Sequence, residues 1–549
     1  MLRFLDDRTV KIEVMKQQTN FSLKIFSPLL LVIMTQCSFA QLTEAELIDT
    51  VQQDVLKYFW DYTHPVSKLS RERLHEVNLS FDENTIAVGG SGFGLMNVIL
   101  GVENEYITRS EGVAHLITAL TFLENADRFH GAWPHWINGN TGEVIPFSTL
   151  DNGGDLVETA LLCQALICVR EYFKDGTNQE QELADQADIL WRGVEWNWYT
   201  KDEEVLYWHW SPSFNWQMNF PIRGYNEALI TYILAASSPT HPISANVYHE
   251  GWARNGDIVS AADQYNIPLV FNHNGAFGTV GPLFWAHYSF LALDPRGLID
   301  DYANYWDLTK NHTEIIFEYC LDNPNGYGGY AEDCWGLTAS YSRNNDGSTG
   351  YAAHQPTNDR GVVTPTAAIS SLPYTPNRSL DFLRYLYEDT QGEYLGIAGP
   401  YDAFSPHYEW KTERYLAIDQ GTIGPMLENH KTQLFWNLFM NAPEVQQGLL
   451  SLGFSSTQHN LMTGVSDHPN INSVWVYPNP SSERVVIKSG SNSGNQSFKV
   501  FDTQGRVVSL GLLDGNRTVI DMRDLPSGVY HIVIVDFEER KLTERILKN

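Results

Sequence analysis

The chain has 549 residues, of which 43% are hydrophobic, 19% charged and 13% aromatic, with a mean hydropathy of -0.28 and a formal net charge of -30. This composition is typical of a globular protein, and the single long apolar run excludes a polytopic membrane protein. The excess of acid excludes nucleic acid and anionic membranes as partners.

The first segment, residues 1–40, has the pattern of a secretory signal peptide. Reading from Met15, a basic region precedes an apolar run over 25–34 and a small-residue cleavage site at 38–40. The apolar run is too short for a transmembrane anchor. We therefore expect export, with the working start codon at Met15.

Residues 41–454 predict one large helical domain. Strand-like alternation is scarce, and the loops are longer than usual, which in a compact domain is typical of function. Helices at this spacing, without hairpin signals, favour an all-α toroid of helical hairpins over a parallel sheet. The stretches with helical apolar periodicity are 44–62, 108–128, 155–173, 181–198, 224–236, 281–293, 299–321, 377–389 and 422–440. The helix N-caps predicted from residue type are Thr108, Asp155, Asn226 and Thr422.

A first group of acids lies at the start of the third predicted helix. Asp155 and Glu158 are three residues apart and can share one face, and Asp151 lies in the turn before them. The same spacing also fits a helix capping box, which would make these acids structural.

Two further acids stand at predicted helix starts. Glu227 lies in the first turn of the helix over 224–236, and Asp419 lies just before the helix over 422–440. In a helical toroid the inner helices run the same way, so acids at their N-termini converge at one mouth. Carboxylates facing each other across a cleft are what glycoside hydrolysis requires. A helix N-terminus lowers a carboxyl pKa, so a general acid there must be buried or crowded by other acids.

Aromatic side chains in the loops are candidate sugar platforms, whereas those on helix faces are expected in the core. The predicted substrate contacts are Trp133, Trp136, Trp208, Trp210, Trp216, Arg223, Tyr225, Trp335, Tyr374 and Trp410. The predicted core tryptophans are Trp191, Trp196, Trp198, Trp285 and Trp436.

Four cysteines remain after the predicted cleavage. Cys163 and Cys168 lie in an apolar helical run and are expected to be buried thiols, whereas Cys320 and Cys334 flank a Gly-rich turn and can pair in an oxidising compartment. No Cys/His cluster has zinc-site spacing. We therefore expect no metal and no cofactor.

Beyond a polar linker at 455–473 the apolar pattern changes to period two. Short strands between Gly-, Asn- and Asp-rich turns predict a small β-sandwich over 474–549. The segments 476–480 (Val-Tyr-Pro-Asn-Pro) and 525–530 (Leu-Pro-Ser-Gly-Val-Tyr), with the basic end 541–548, resemble the C-terminal sorting domain of the type IX secretion system. That resemblance implies a secreted or cell-surface protein of a Bacteroidetes-type bacterium. A carbohydrate-binding module is the alternative, but Trp475 alone offers no aromatic platform.

Four motifs of the helical domain resemble a known family. Residues 88–95 (Val-Gly-Gly-Ser-Gly-Phe-Gly-Leu), 155–159 (Asp-Leu-Val-Glu-Thr), 224–227 (Gly-Tyr-Asn-Glu) and 364–368 (Thr-Pro-Thr-Ala-Ala) are similar to the glucoamylase-like domain of glycoside hydrolase family 144. The resemblance implies an (α/α)6 barrel and inverting hydrolysis of β-1,2-glucan, with sophoro-oligosaccharides or sophorose as products.

The same resemblance assigns roles to the acids. Glu227 matches the general acid, Asp155 and Glu158 match acids of the family's cleft with Asp151 beside them, and Asp419 is a further candidate. Which acid is the base, and whether action is endo or exo, stays open.

Several alternatives remain at this stage. The substrate can be another β- or α-glucan, or the chain can be a non-catalytic surface glycan-binding protein that keeps the barrel. A polysaccharide lyase would want a basic cleft, which the acidic charge of 41–473 disfavours. We expect a monomer acting on a neutral glucan.

Overall fold

The computed structural model describes residues 41–459, 461, 474–477, 481, 484–489, 497–503, 505–513, 517–523, 525–535 and 541–548. The predicted signal peptide, Cys37 within it, and most of the predicted linker lie outside these residues. The α-helices are α1 (Glu44–Trp60), α2 (Val88–Glu103), α3 (Arg109–Asn125), α4 (Leu156–Phe173), α5 (Asn178–Arg192), α6 (Leu229–Ser237), α7 (Tyr305–Asp322), α8 (Pro365–Ile369), α9 (Pro376–Arg384), α10 (Ala417–Lys431), α11 (Leu434–Met440) and α12 (Pro443–Ser451).

Four helices form an inner layer. In α2 every residue from Val88 to Val102 is buried, and α4, α6 and α10 are nearly as completely buried. Helices that are buried all round lie in a core. Helix α2 packs against α4 on one side and α10 on the other, and α4 packs against α6.

The helices α1, α3 and α5 form part of an outer layer. Each begins with a Thr-x-x-Glu capping box, at Thr43, Thr108 and Thr177, in which the hydroxyl accepts the N–H three residues on. The cap predicted at Thr108 is confirmed. Alternating outer and inner helices make an α/α toroid, so the predicted all-α class of this region is confirmed.

Helix α2 was not among the predicted helices, because its glycines lower its intrinsic helix propensity. A Cβ at Gly92 would lie 2.5 Å from the carbonyl oxygen of Leu161 in α4, and one at Gly90 would lie 2.7 Å from the Cβ of Ala417 in α10. Bare backbone at these positions allows three inner helices to approach closely. Tertiary packing therefore outweighs the low intrinsic helix propensity of glycine.

The helix predicted over 281–293 is wrong. This stretch forms two short 3₁₀ segments, Leu283–Ala286 and Tyr288–Phe290, instead of one α-helix. The Ser289 hydroxyl accepts the N–H of Ile230 and donates to the Glu227 carbonyl. Tertiary hydrogen bonds therefore hold this segment, rather than the regular hydrogen bonds of an α-helix.

Two predicted helix starts also differ. Helix α6 begins at Leu229, so Asn226 is not its N-cap, although the Asn226 side chain accepts the N–H of Ala228. Helix α10 begins at Ala417, because strand pairing ends directly before it, and Thr422 lies inside the helix. The cap predicted at Asp155 is confirmed, since its side chain accepts two amides of α4.

Short strands order the loops between the helices. Pairing of β1 with β16 joins the loops that lead into α2 and α10, and pairing of β5 with β6 places Asp155 opposite His209. The strands of this region are β1 (Arg73–His75), β2 (Thr85–Ala87), β3 (Trp136–Asn138), β4 (Val144–Ile145), β5 (Gly154–Asp155), β6 (His209–Trp210), β7 (Asp263–Gln264), β8 (Ile267–Pro268), β9 (Leu298–Ile299), β10 (Ala339–Arg343), β11 (Thr349–Ala353), β12 (Leu395–Gly396), β13 (Gly399–Pro400), β14 (Phe404–Ser405), β15 (Trp410–Lys411), β16 (Arg414–Leu416) and β17 (Ser455–Ser456).

Contact with the helical region continues past α12. Strand β17 pairs antiparallel with β9, and His459 Nε2 lies 2.8 Å from Asp294 Oδ2. The first residues after 454 are therefore docked on the helical region.

The C-terminal region is rich in β-strand. Its strands β18 (Val474–Tyr477), β19 (Arg484–Ser489), β20 (Ser497–Asp502), β21 (Val507–Leu512), β22 (Arg517–Asp521), β23 (Gly528–Val535) and β24 (Lys541–Lys548) form two antiparallel sheets, ordered β18-β19-β22 and β21-β20-β23-β24. Residues of both sheets, such as Ile487 and Val500, share one buried cluster. The predicted change to β structure after the linker is confirmed.

No helix among the described residues is long and apolar enough to cross a membrane.

Candidate active site

The acids singled out in the sequence lie at one end of the inner helices. Asp155 caps α4, Glu158 follows in its first turn, Asp419 is the third residue of α10, and Glu227 lies two residues before α6. The Glu158 carboxylate contacts the Gly89 amide at the start of α2. These carboxylates therefore lie near one another at the N-terminal ends of the inner helices, as the sequence predicted.

Asp155 is completely buried and fully occupied. Its Oδ1 accepts the amides of Val157 and Glu158 at 3.0 and 2.9 Å, and its Oδ2 accepts from His135 Nδ1, Trp208 Nε1 and His209 Nε2 at 3.0 to 3.2 Å. Burial opposes ionisation, but the two histidines reverse that effect and hold the pKa of Asp155 below its usual range. Asp155 therefore stays an anion that organises its neighbours.

Two histidines balance the charge of Asp155 and Asp151. His209 Nε2 lies 3.1 Å from Asp151 Oδ2, and His135 Nδ1 lies 3.7 Å from the same atom. Burial alone would lower the pKa of each histidine, but the surrounding carboxylates raise it, to about 9 for His135 and about 10 for His209. Both imidazoles are therefore cations at neutral pH.

The same four side chains are the candidate metal ligands. One ligand atom from each of His135, Asp151, Asp155 and His209 lies within 4.8 Å of the others. In this cluster, Asp155 Oδ2 accepts an N–H from each of the two histidines, so protons occupy the positions where a metal would bind. A metal would need both imidazoles to be neutral. The donor set thus fits a protonated ion-pair cluster better than a metal, and the expectation of no metal stays a prediction.

Glu158 links two inner helices. Its Oε2 accepts the Gly89 amide at 2.7 Å, which satisfies one of the unpaired N–H groups at the start of α2, and its Oε1 lies 3.9 Å from His135 Nε2. Burial raises the pKa of Glu158 to about 7, with Asp155 adding to the effect against the opposing charge of His135. Glu158 is therefore both a structural cap and a titratable group of the site.

Glu227 is half-buried and stands apart from the ion-pair cluster. Ser289 donates a hydrogen bond to its backbone carbonyl and so anchors the segment that precedes α6. Burial, with the charges of Glu158 and Asp155 adding to it, raises the pKa of Glu227 to about 7. This environment overcomes the helix dipole, as the sequence argument required of a general acid.

Asp419 forms a carboxyl pair with Asp402, which the sequence analysis did not single out. Each of the two side chains shifts the pKa of the other, and neither Asp402 Oδ1 nor Asp419 Oδ2 has a hydrogen-bond partner among the described residues. The other oxygen of each carboxyl is bonded: the Tyr341 amide donates to Asp402 Oδ2 at 2.7 Å, and the Tyr288 hydroxyl donates to Asp419 Oδ1 at 3.3 Å.

Burial raises the pKa of both members of this pair, to about 7 for Asp402, and their mutual repulsion raises that of Asp419 further. Two carboxyls in contact cannot both ionise readily, so the pair holds one proton near neutrality. Asp402 lies between β13 and β14, far from any helix start, and no sequence signal marks it.

Tyr351 is electrostatically coupled to both groups of acids. The residue as a whole is 58% exposed, but burial around its hydroxyl, followed by the charges of Asp419, Asp402, Glu72 and Glu227, raises its pKa. The Tyr288 hydroxyl, which donates to Asp419, is likewise coupled to Glu227 and Glu158, so the two groups of acids belong to one site.

Four predicted substrate contacts are wrong, because their side chains are buried in the core. Trp133, Trp335, Tyr225 and Tyr374 are at most 2% exposed. Their polar atoms bond within the protein: Trp133 Nε1 to the Leu123 carbonyl, for example, and the Tyr374 hydroxyl to that of Ala286. Such rings present no face to a ligand.

The other predicted aromatic contacts are half-buried. Trp208 donates to Asp155, and Trp136 meets His135 edge-on at 5.8 Å between ring centroids, so both lie beside the acids. Trp210 and Trp216 pack instead around Trp198, which is 40% exposed and was wrongly expected in the core. The side chains that stay predicted substrate contacts are Trp136, Trp208, Trp210, Trp216, Trp410 and the exposed Arg223.

The expected core positions of Trp191, Trp196, Trp285 and Trp436 are confirmed. Cys163, Cys168, Cys320 and Cys334 are all buried free thiols.

Both the helical region and the C-terminal region are similar to known proteins. Residues 219–443 match the Glycoamylase family model, and residues 475–549 match the family model of the Secretion system C-terminal sorting domain. The structure of an endo-β-1,2-glucanase from Chitinophaga pinensis, solved with sophorotriose and glucose, is 51% identical, with a TM-score of 0.73 over 76% of this chain and 99% of that chain.

Two other relatives are informative. An exo β-1,2-glucooligosaccharide sophorohydrolase of Parabacteroides distasonis is 40% identical over 426 residues, which are 74% of this chain but 58% of that relative. The chain thus spans less than two thirds of that protein. An endo-β-1,2-glucanase from Talaromyces funiculosus, at 10% identity and a TM-score of 0.53 over 75% of this chain and 91% of that chain, shares the fold.

Proposed function

Because the chain belongs to the glucoamylase-like family of β-1,2-glucanases, glycoside hydrolase family 144, we propose that it hydrolyses β-1,2-glucan with inversion of the anomeric centre. The observation that carries this proposal is the convergence of several carboxyls with raised pKa values at one mouth of the inner helices. Hydrolysis by inversion uses one carboxyl that holds a proton and another that takes one from water.

Glu227 is the general acid. Its pKa of about 7 keeps a large fraction protonated at neutral pH, and it bonds to none of the histidines that would draw off that proton. A carboxyl tuned in this way protonates the glycosidic oxygen as the bond breaks.

Asp419 is the base that activates water. Inversion places the base on the face of the sugar opposite the acid. Asp155 is occupied by its hydrogen bonds and Glu158 by the Gly89 amide, whereas Asp419 Oδ2 has no hydrogen-bond partner among the described residues. The pair of Asp419 and Asp402 holds one proton near neutrality, so it keeps one negative charge that can accept a proton from water. The water therefore approaches from the Asp419 side.

The cluster of Asp151, Asp155, His135 and His209 holds the acid side in place. Asp155 caps the start of α4, and His135 and His209 compensate the buried charge of Asp155. These residues support the geometry, and they exchange no proton with substrate.

Endo action is favoured over exo action. Identity is 51% to the endo-acting Chitinophaga enzyme over nearly its whole chain, against 40% to the exo-acting Parabacteroides enzyme over 58% of its length. We assign release of sophoro-oligosaccharides of several lengths.

The finer architecture follows from the chain order of the elements. Outer and inner segments alternate as six pairs if the short helical segment Val247–Trp252 counts as the fourth outer element and the two 3₁₀ segments at 283–290 count as the fourth inner element, which supports an (α/α)6 barrel. The two C-terminal sheets with one shared core support a β-sandwich. The domain limits 41–454, 455–473 and 474–549 and the monomeric state belong to the same proposal.

The C-terminal sorting domain indicates a secreted or cell-surface protein exported by the type IX system. Such a protein meets a neutral extracellular polysaccharide, which agrees with an acidic surface.

The test is reducing-end release from linear β-1,2-glucan, compared with β-1,3-, β-1,4- and α-1,4-glucans. We expect turnover of the β-1,2-glucan alone, and a loss of at least about 10³-fold in kcat in Glu227→Gln with sugar binding retained. Glu182→Gln, an exposed position on α5, is the matched control. Turnover of another glucan only, or binding without turnover in the wild type, would contradict the proposal and favour the alternative substrate or the non-catalytic binding protein.

A further inference from the structure

A pocket of about 500 Å³ lies beside the segment that carries Glu227. Its lining includes Gly224 from that segment and Arg254, Asp257, Asn272, Asn274 and Phe277 from the loop before the 3₁₀ segment at Leu283. Its volume is in the range of sites for small ligands. None of the acids of the candidate active site lines it.

The pocket wall and the acid segment are physically joined. Asn274 donates from its side chain to the carbonyl of Arg223 at 2.7 Å and from its backbone to that of Tyr225 at 3.2 Å. Gly224 has a φ of +73°, and a Cβ there would lie 2.7 Å from Asn274 Oδ1. A group bound in the pocket therefore lies against a segment that is three residues from Glu227.

The lining has the chemistry of a sugar site. Phe277 is 95% exposed, between Gly275 and Gly278, both of which have positive φ. A fully hydrated aromatic ring gains free energy when a ligand covers it. Polar groups around such a ring fix the orientation of a ligand.

Arg254 supplies donors without a protein partner. Its guanidinium is exposed and forms no hydrogen bond or ion pair with any residue that the structure describes. Its φ of 53° is left-handed, which for a residue other than glycine is strain typical of functional positions. With the exposed Asp257 three residues on, the pocket offers both a donor and an acceptor to sugar hydroxyls.

We propose that this pocket is a glucose-binding subsite on the leaving-group side of the scissile bond. The assignment rests on the proposed function. The general acid stands at the leaving oxygen, so a pocket walled by its own segment takes the glucose units that depart with that oxygen. Phe277 provides the stacking face, and Arg254 and Asn274 address the hydroxyls.

The kinetic test uses sophoro-oligosaccharides of increasing length. In Phe277→Ala and Arg254→Ala we expect kcat/KM to fall about tenfold on the longest substrates and progressively less on shorter ones. Cleavage of reducing-end-labelled oligosaccharides should shift along the chain, because the leaving-side units lose their anchor. Ile189→Ala removes an exposed apolar side chain on α5 and serves as the control, with an unchanged profile. A chain-length profile and cleavage pattern identical to wild type in both pocket variants would overturn the subsite.

A binding measurement separates this proposal from the proposed function. Calorimetric titration of sophoro-oligosaccharides into Glu227→Gln and into Glu227→Gln with Phe277→Ala needs no turnover. Weaker binding in the double variant supports the subsite even if the wild type proves inactive on β-1,2-glucan. Equal binding overturns it even if the wild type is active.

Discussion

At the scale of single residues, the carboxyls divide into those that hold the structure and those that exchange protons. Asp155 accepts five hydrogen bonds and is held ionised by His135 and His209. Asp419 shares a proton with Asp402 and has few other partners. The same residue type thus serves opposite purposes within one site.

This division predicts opposite outcomes for two isosteric substitutions. Asp155→Asn removes the carboxylate that bonds to both buried histidine cations and leaves them with Asp151 alone as a shared partner, so it should lower the free energy of unfolding by about 3–5 kcal/mol. Asp419→Asn removes a repulsion, so the melting temperature should be unchanged or higher while kcat falls about 10²–10⁴-fold. Thermal melts and kinetics on the same preparations measure both. A stable, active Asp155→Asn protein or a fully active Asp419→Asn enzyme would contradict these roles.

The sequence predicted Asp155, Glu158, Glu227 and Asp419 because helix-start signals mark them. It did not predict Asp402, since pairing across the chain leaves no local pattern. His135 and His209 were missed for the same reason: His209 meets Asp155 through the pairing of β5 with β6, and His135 reaches it from the loop before β3.

At the scale of elements, the glycine-rich start of α2 connects packing to the site. Gly89 donates its amide to Glu158, and a Cβ there would lie 2.6 Å from Glu158 Oε2. The helix end and the carboxylate occupy space that only glycine leaves free.

Gly89→Ala should therefore displace the Glu158 carboxylate and lower both stability and activity. The lost hydrogen bond to a buried amide costs about 1–3 kcal/mol, and the shifted charge alters the neighbourhood of Glu227. Denaturant unfolding and kcat on β-1,2-glucan measure the two effects. Gly193→Ala, at the end of α5, where a Cβ would lie 3.3 Å from the tip of Arg128 and 3.4 Å from the Ile189 carbonyl oxygen, is the matched control. Wild-type behaviour of Gly89→Ala would show that Glu158 has no fixed position.

The sequence predicted helices correctly where one face of the helix is polar. The outer helices α1, α3 and α5 carry caps and exposed residues, which sequence patterns report. The inner helix α2 and the 3₁₀ segments at 283–290 escaped, because fully buried backbone is shaped by its neighbours rather than by local propensity.

At the scale of the whole molecule, buried ionisable groups link stability to pH. The pKa of Glu227, Glu158 and Asp402 is raised to about 7, so their contribution to stability is lost as pH rises from about 4.5 to 7. The raised pKa values of His135 and His209 add a contribution that is complete below about 6.5 and lost as pH rises to 9 or 10. The lowered pKa of Asp155 works oppositely, below about pH 4.

We therefore expect the melting temperature to be highest between about pH 4 and 6 and to decrease steadily towards pH 10. Glu227→Gln should flatten the part of that decrease between about pH 4.5 and 7, because its group no longer titrates. Melting curves across this range, at constant ionic strength, make the comparison. A wild-type maximum at pH 8 or above would contradict the buried-charge assignment.

The central claim is inverting cleavage of β-1,2-glucan by Glu227 and Asp419. Proton NMR of the first minutes of hydrolysis of linear β-1,2-glucan reads linkage, product length and anomer at once. We predict α-anomeric reducing ends first, on sophoro-oligosaccharides of several lengths, with mutarotation following. New β-anomeric ends first, or no new reducing ends, would contradict the account.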